Sequence, residues 1–318
     1  MRASKIAILV PSYNGGALLA ETVASVAAAG LPPDSYEIVV RDNASTDGSA
    51  DALPPRDAQG AAITLCRNAH NLGRVANWNR AIEAAEEMGF GFALFLMVGD
   101  LVHGRGLIAL RDRMVAAGAC LGIASYEIVD EALRPQRVAR RILWRGAAGL
   151  SARDFLTQSL ATGAMLYGPL GANLYWLGGG RGHLRFDPND ESHTDQLATA
   201  VFTRVAGGGA GGVVTYLDRP ISRWRARPGR FHSGMDPRGR LASDVRVMER
   251  ACQAAGVPVD HPRIRASLLL RAVWLTRGDL RAAWAWSGAL VPAAPSWTWL
   301  FRLLFRQALH KTPWLVKA

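Results

Sequence analysis

Residues 6–10 (IAILV) form an unbroken apolar run, the pattern of a strand covered on both faces. Leu19, Val23, Val26 and Ala27 then recur at helical spacing. Gly30 with Pro32 and Pro33 predicts the end of that helix. Residues 37–41 (EIVVR) read as a second strand. Residues 42–48 (DNASTDG) are dense in turn and N-cap types, so a loop and then a helix start are expected. Residues 62–66 (AITLC) predict a third strand. Residues 77–88 predict a helix with Trp78, Ile82 and Ala85 on one face, and residues 92–98 (FALFLMV) a fourth strand running into Gly99 and Asp100. A helix over 105–117 and a strand over 120–125 follow. This alternation predicts βαβ units and a largely parallel sheet.

The pattern weakens over 126–190, where 168–182 (GPLGANLYWLGGGRG) reads as loop. A helix over 194–205 and a strand over 213–217 flank the glycines of 207–212. From Arg219 the chain turns basic and aromatic, and six of the ten tryptophans lie after residue 270. Length alone, at 318 residues, predicts one large domain plus an appendage, or two domains. We place the border between a domain at 1–233 and a helical region at 234–318.

Charge sharpens that division. The chain carries a net +11, but residues 1–218 sum to −2 and residues 219–318 to +13. A uniformly basic, histone-like protein is excluded. Composition, 49% apolar and 20% charged, is that of a globular protein. Cys66, Cys120 and Cys252 are scattered and odd in number, which supports neither a disulfide framework nor a zinc site and fits a reducing cytosol. The first apolar run is too short for a signal segment. The longest uncharged stretch, 282–301, contains Pro292 and Pro295, which break a spanning helix.

In an open parallel sheet, ligands bind beyond the carboxyl ends of the strands. Three predicted strands end in polar clusters: Pro11-Ser12-Tyr13-Asn14, Asp42-Asn43 and Gly99-Asp100. One carboxylate there suits the N–H groups of a base, and another suits a divalent cation bridging to phosphates. No GxGxxG follows the first strand, and neither a P-loop nor a GxSxG elbow occurs.

These segments, VPSYN at 10–14, EIVVRDNASTDGS at 37–49 and NLGRVANWNRAIEAA at 71–85, resemble family 2 glycosyltransferases. The resemblance implies a GT-A fold: a Rossmann-like, mostly parallel mixed sheet flanked by helices, here with a C-terminal helical extension. It implies transfer of a sugar from a nucleoside-diphosphate donor (UDP, dTDP or GDP) with inversion at the anomeric carbon. Pro11, Ser12 and Tyr13 fall on the loop lining the nucleotide pocket, and Asp42 on the aspartate that bonds the base. Asn71, Gly73 and Asn77 fall on the motif closing the donor site. Gly99 and Asp100 fall on the metal motif, of which only the first Asp remains before Leu101 and Val102. A divalent cation, Mg²⁺ or Mn²⁺, is implied at Asp100, with His103 and His232 as further candidate ligands. For the base that deprotonates the acceptor, the candidates are Asp187, Asp190, Glu191 and Asp195. Asp195 comes first because it opens a predicted helix, although Thr194 replaces the family's Glu, and Glu191 and Asp190 follow it. Arg225, in ISRWR at 221–225, and then His232 are expected to meet the departing diphosphate, whose growing charge a guanidinium stabilises.

Residues 297–310 (WTWLFRLLFRQALH) place Trp297, Leu300, Phe301, Leu304, Phe305 and Ala308 on one helical face, with Arg302, Arg306 and His310 opposite. A basic amphipathic helix with tryptophans is the signature of a membrane interface. Residues 263–318 sum to +8. The expected partners are therefore a nucleotide sugar, a saccharide acceptor (lipid-linked forms included) and the inner face of the cytoplasmic membrane, with no nucleic acid. Surface polysaccharide assembly is the expected setting. The competing expectation is a binding protein that keeps the fold and has lost the metal chemistry.

Overall fold

The apolar run of the first strand, β1 (Ile6–Ser12), is buried along its whole length: it pairs on both edges, and its side chains point into the packed faces of the sheet. Its neighbours β2 (Tyr36–Asp42) and β4 (Phe92–Phe95) are both parallel to it, and β3 (Ile63–Arg67) extends the sheet in parallel beyond β2. This computed structural model describes residues 2–140, 149–161, 169–178, 184–189, 194–205, 212–227, 236–256, 258–301 and 304. Among them the sheet has ten strands, adding β5 (Leu101–Val102), β6 (Ala119–Val129), β7 (Pro135–Ala139), β8 (Leu150–Ser151), β9 (Asn173–Trp176) and β10 (Val213–Arg225). The main path runs β3-β2-β1-β4-β9-β6-β10-β5. β9 is antiparallel to both of its neighbours, β4 and β6, while β10 is parallel to β6, so the sheet is mixed.

Alternation along the strands sorts the helices onto two faces. Ile6, Ile8, Val10, Leu94 and Leu96 share one core with Leu19, Val23 and Val26 of α1 (Gly16–Ala28) and with Leu107, Leu110 and Met114 of α3 (Gly106–Ala117). The next residue in register, Phe95, turns the other way and meets Trp78 of α2 (Arg74–Glu87) and Phe186, with ring centroids 6.3 and 5.3 Å away. Each such aromatic contributes about 1.5–3 kcal/mol when fully buried. α3 lies so close to β6 that a Cβ at Gly122 would stand 2.6 Å from the Met114 sulfur.

Three local expectations need correction. No helix follows the turn residues 42–48; residues 43–62 form turns, because Pro54 and Pro55 remove donors that a helix would need. The stretch 168–182, expected as loop, contains β9 in the middle of the sheet; four residues (NLYW) among glycines are too short to show a period. β10 continues from the expected 213–217 to Arg225 through irregular register near Pro220.

The chain divides into two compact units, Met1–Ala152 with Tyr167–Arg227, and Arg153–Leu166 with Pro228–Ala318. The expected border at 233/234 lies outside the described residues. The second unit contains α4 (Ala152–Ala161) from Arg153 onward, α6 (Pro237–Ala255), α7 (His261–Leu275) and α8 (Leu280–Leu290). Asp236 caps α6 by accepting from the Gly239 N–H at 2.8 Å, and Pro237 takes the first helical position. α8 ends before Pro292, and helix resumes at 297. No helix of the described residues is long and apolar enough to cross a membrane.

Candidate active site

Parallel pairing brings the ends of β1, β2 and β4 to one edge, with Ser12 beside Asp42. The loops beyond them are tied together. Asn14 donates its backbone N–H to Ser45 Oγ at 2.8 Å and accepts from the Thr46 N–H at 2.9 Å. Asp47 accepts from the Gly16 N–H at 2.9 Å, and its carboxyl is held below the ordinary range by the Ser49 hydroxyl and then by that N–H. Tyr13 stands 52% exposed on this wall. Pro11 and Ser12 are buried beneath it, and Ser12 Oγ has no hydrogen-bond partner among the described residues.

Asp42 is fully buried. It accepts from Arg67 Nε at 2.7 Å, from the Ser45 N–H at 3.3 Å and from the Ser45 hydroxyl. Arg67 also reaches Asp51 at 2.8 Å, so it bridges the buried carboxylate to the surface. Beneath lies an amide network. Asn68 donates to Asn43 Oδ1 and to Asn77 Oδ1, both at 2.8 Å, and accepts from Arg41 Nε at 2.9 Å. Asn43 donates to Asn71 Oδ1 at 2.7 Å, and Asn71 accepts from the Gly73 N–H at 2.8 Å. Gly73 has φ +83°, a left-handed value that glycine adopts readily. Asn77 spends its own N–H on the Arg41 carbonyl at 3.1 Å. The structure thus places Asn71, Gly73 and Asn77 in the scaffold that sets the wall, with Asn77 buried beneath it.

After β4 the chain turns at 97–100, closed by the Asp100 N–H to the Met97 carbonyl at 2.8 Å. Gly99 sits at φ +92°. Thr22, buried on the apolar face of α1, accepts from the Gly99 N–H at 2.7 Å and donates to the Asp100 carbonyl at 3.1 Å. Asp100 is 4% exposed and accepts from the Arg225 backbone N–H at 3.1 Å, joining this turn to the end of β10. The Arg225 guanidinium pairs with Glu21 of α1 at 2.7 Å. Arg227 donates to the Val98 carbonyl at 2.8 Å and covers Gly99 so closely that a Cβ there would stand 2.3 Å from Nη2. The sequence singled out Asp100 and Arg225, which the structure brings together, but not Glu21, Thr22 or Arg227. A threonine within the stripe of Leu19, Val23 and Val26 was the available signal for Thr22.

On the other face of the sheet, segment 184–189 is held to α2. Asn79 exchanges two hydrogen bonds with the Phe186 backbone, at 2.8 and 2.9 Å, and Arg185 pairs with Glu86 at 2.7 Å. Asp187 closes a turn through the Asn189 N–H at 2.9 Å. Asp195 lies half-buried in the first turn of α5 (Thr194–Val205). Its charge acts on the buried Tyr175 hydroxyl, which bonds Thr199 at 2.8 Å; burial first, and then Asp195, raise the Tyr175 pKa. Asp190, Glu191 and His232 lie outside the described residues.

Among the described residues no three His, Cys, Asp or Glu side chains cluster to hold a metal. His103 sits beside Arg223 and Glu127, which pair at 2.7 Å, and its pKa is lowered by burial and then by Arg223. Leu101 and Val102 are buried apolar residues of β5. A single carboxylate with the phosphates of a substrate is nevertheless an ordinary shell for Mg²⁺. Asp100, 4% exposed and accepting from the Arg225 N–H, is the carboxylate at this turn.

Residues 7–103 match the family model described as Glycosyl transferase family 2. Comparison with curated proteins gave no match. Solved structures share the fold. S. aureus TarS 1–349 in complex with UDP-GlcNAc is 17% identical with a TM-score of 0.63, over 98% of this chain and 89% of that one. A mannosyltransferase from Pyrobaculum calidifontis in complex with GDP-Man and Mn²⁺ is 15% identical with a TM-score of 0.53, over 96% of this chain and 80% of that one. The family 2 glycosyltransferase match thus covers residues 7–103, where the motifs stand at the strand ends, and the chain as a whole has the GT-A fold of these glycosyltransferase structures.

Proposed function

We propose that the chain transfers a sugar, with inversion, from a nucleoside-diphosphate donor to a hydroxyl of a saccharide acceptor. The observation that carries this reading is the junction of the Asp100 turn with the end of β10, where the Arg225 backbone N–H meets the carboxylate, the Arg225 guanidinium pairs with Glu21 and the Arg227 guanidinium covers the turn. Tyr13 offers an exposed ring for the base, and Arg67, held by the buried Asp42, offers a polar group for its edge, so that Asp42 acts on the base through the side chains it fixes. Arg225 and Arg227 stabilise the charge that grows on the departing diphosphate. A divalent cation, Mg²⁺ or Mn²⁺, would sit on Asp100 and the donor phosphates, with His232 as a further ligand, and would neutralise that same charge. Asp195 takes the proton of the acceptor hydroxyl while its oxygen bonds to the anomeric carbon and the bond to the β-phosphate oxygen breaks. Glu191 and Asp190 are the alternatives for that base. The acceptor is lipid-linked, and the setting is surface polysaccharide assembly on the inner face of the cytoplasmic membrane.

Sugar transfer and donor hydrolysis over a panel of UDP, dTDP and GDP sugars test this reading. Asp195→Asn is expected to lower kcat by about 10²–10⁴-fold, the usual range for a lost general base. Full activity of that variant would remove Asp195 from the mechanism. The apolar residues after Asp100 favour a second reading, a nucleotide-sugar-binding protein of impaired catalysis. Calorimetry with UDP, GDP and dTDP, with and without Mn²⁺, separates the two. Binding without turnover of any donor supports the second.

A further inference from the structure

The second unit carries an apolar ridge that the transfer reaction does not use. Leu280 and Trp284 lie four residues apart on α8, 68% and 44% exposed. Trp297, Phe301 and Leu304 lie at helical spacing beyond the Pro292–Pro295 break, 53%, 69% and 42% exposed. The two rows join where Trp284 and Trp297 stack, with centroids 6.0 Å apart and planes 13° from parallel. Large apolar side chains exposed singly are ordinary, but a joined run of five is the mark of an interaction surface.

The ridge is held from below. Arg265 of α7 is 7% exposed and donates to the carbonyls of Pro292 and Ala293 at 3.1 and 2.6 Å. Its guanidinium lies 4.6 Å from the Trp284 ring centroid. Ser296 donates its N–H to the Pro262 carbonyl at 2.9 Å, which fixes the start of the second row. Stacked tryptophans held this way reach outward without a large ordering cost.

Charge selects the occupant. Residues 263–318 hold nine basic residues and one acidic residue. That acid, Asp279, caps α8 by accepting from the Ala282 N–H at 3.0 Å. Arg277 and Arg281 stand exposed on either side of Leu280. A second copy of this chain would bring the same excess of basic residues to the ridge, with no acid from 263–318 other than the capping Asp279 to meet them. An anionic lipid surface meets both features, accepting tryptophan at headgroup depth and attracting each arginine by about 1 kcal/mol.

We infer that the ridge of Leu280, Trp284, Trp297, Phe301 and Leu304 is a docking surface for anionic lipid, which lies in the interface and does not span it. The inference extends the lipid-linked acceptor proposed above by naming the surface that would bring the enzyme to it.

Co-sedimentation of the full chain with vesicles of phosphatidylcholine and phosphatidylglycerol in equal parts tests it. The chain is expected to bind these vesicles, to leave pure phosphatidylcholine largely unbound, and to release as salt rises. Leu280→Ser with Phe301→Ser removes two exposed side chains and spares the Trp284 stack. This variant is expected to keep the parent thermal midpoint and to bind about tenfold or more weakly, since each buried CH₂ is worth roughly fourfold in partition. Absence of binding to anionic vesicles by the parent chain overturns the inference. Unchanged binding by the variant does so as well. A lipid-free dimer that the variant abolishes assigns the ridge to a second copy and also overturns it. Donor hydrolysis, measured without lipid in the same samples, reads the transfer reaction separately: loss of hydrolysis with vesicle binding intact counts against the proposed function alone.

Discussion

The backbone N–H of Arg225 donates to the carboxylate of Asp100 at 3.1 Å, across 125 residues of sequence. This bond fastens the turn after β4 to the last residue of β10, and the Arg227 guanidinium, two residues on, covers the same turn. Asp100→Asn keeps an acceptor for that N–H and removes the charge. We expect the thermal midpoint to move little. Nucleotide binding in Mn²⁺, read by calorimetry, should weaken by about tenfold to a hundredfold, the scale of a charge-assisted contact worth ~1.5–3 kcal/mol. Equal affinity in the variant would show that Asp100 has no part in holding the donor.

Gly99 allows the close cover by Arg227. An Ala there is strained by φ +92° and meets Arg227 Nη2 at 2.3 Å. The guanidinium is the flexible end of a side chain, so it moves first. Gly99→Ala is expected to lose about 1–3 kcal/mol of stability from the backbone conformation. It should also weaken nucleotide binding as Arg227 is displaced. Denaturant unfolding and calorimetry measure the two effects separately, and Arg227→Lys should reproduce only the second.

Asn68 stands at the centre of the amide network and bonds Asn43, Asn77 and Arg41. Asn68→Ala leaves buried partners unsatisfied, at about 1–3 kcal/mol for each stranded group. A lowered urea midpoint is expected, together with weaker donor binding, although Asn68 itself is buried beneath the wall. Asn68→Asp should also destabilise, because two of its partners donate no hydrogen to a carboxylate from their carbonyl oxygens.

His103 gives a pH dependence with a definite sign. Burial and then Arg223 depress its pKa, against the pull of Glu127. A histidine depressed in the folded state takes up its proton more readily when unfolded. The stability it contributes is present above the unfolded value, about 6.5, and is lost as pH falls through the folded value. The thermal midpoint should therefore hold near neutrality and decline on acidification. His103→Gln should flatten that decline, and an unchanged slope would assign it to other groups.

Residues 1–125 were largely legible in the sequence because β1 and β4 are buried on both faces and read as continuous apolar runs, and β2 carries the apolar core of Ile38, Val39 and Val40. β9 was not. Its four residues lie between glycines, and only its neighbours in the sheet make it a strand. The site divided in the same way. Asp42 and Asp100 stood out as acids at strand ends. Arg67, which occupies Asp42, and Thr22, which fixes the Asp100 turn, depend on contacts 25 and 78 residues distant in sequence. No local pattern carries such contacts. Asn77 showed the reverse: its motif pointed to the donor, whereas its amide is consumed inside the protein.

Arg153–Leu166 belongs to the second unit and is followed by Tyr167–Arg227 of the first. A ribosome making this chain releases those fourteen residues long before their companions at 228–318. At about 5–20 residues per second, the interval is several seconds. During the same interval the sheet lacks β10, its link between β6 and β5. The nascent chain therefore carries two unfinished cores at once, and a stall near residue 200 would expose both to proteases and chaperones.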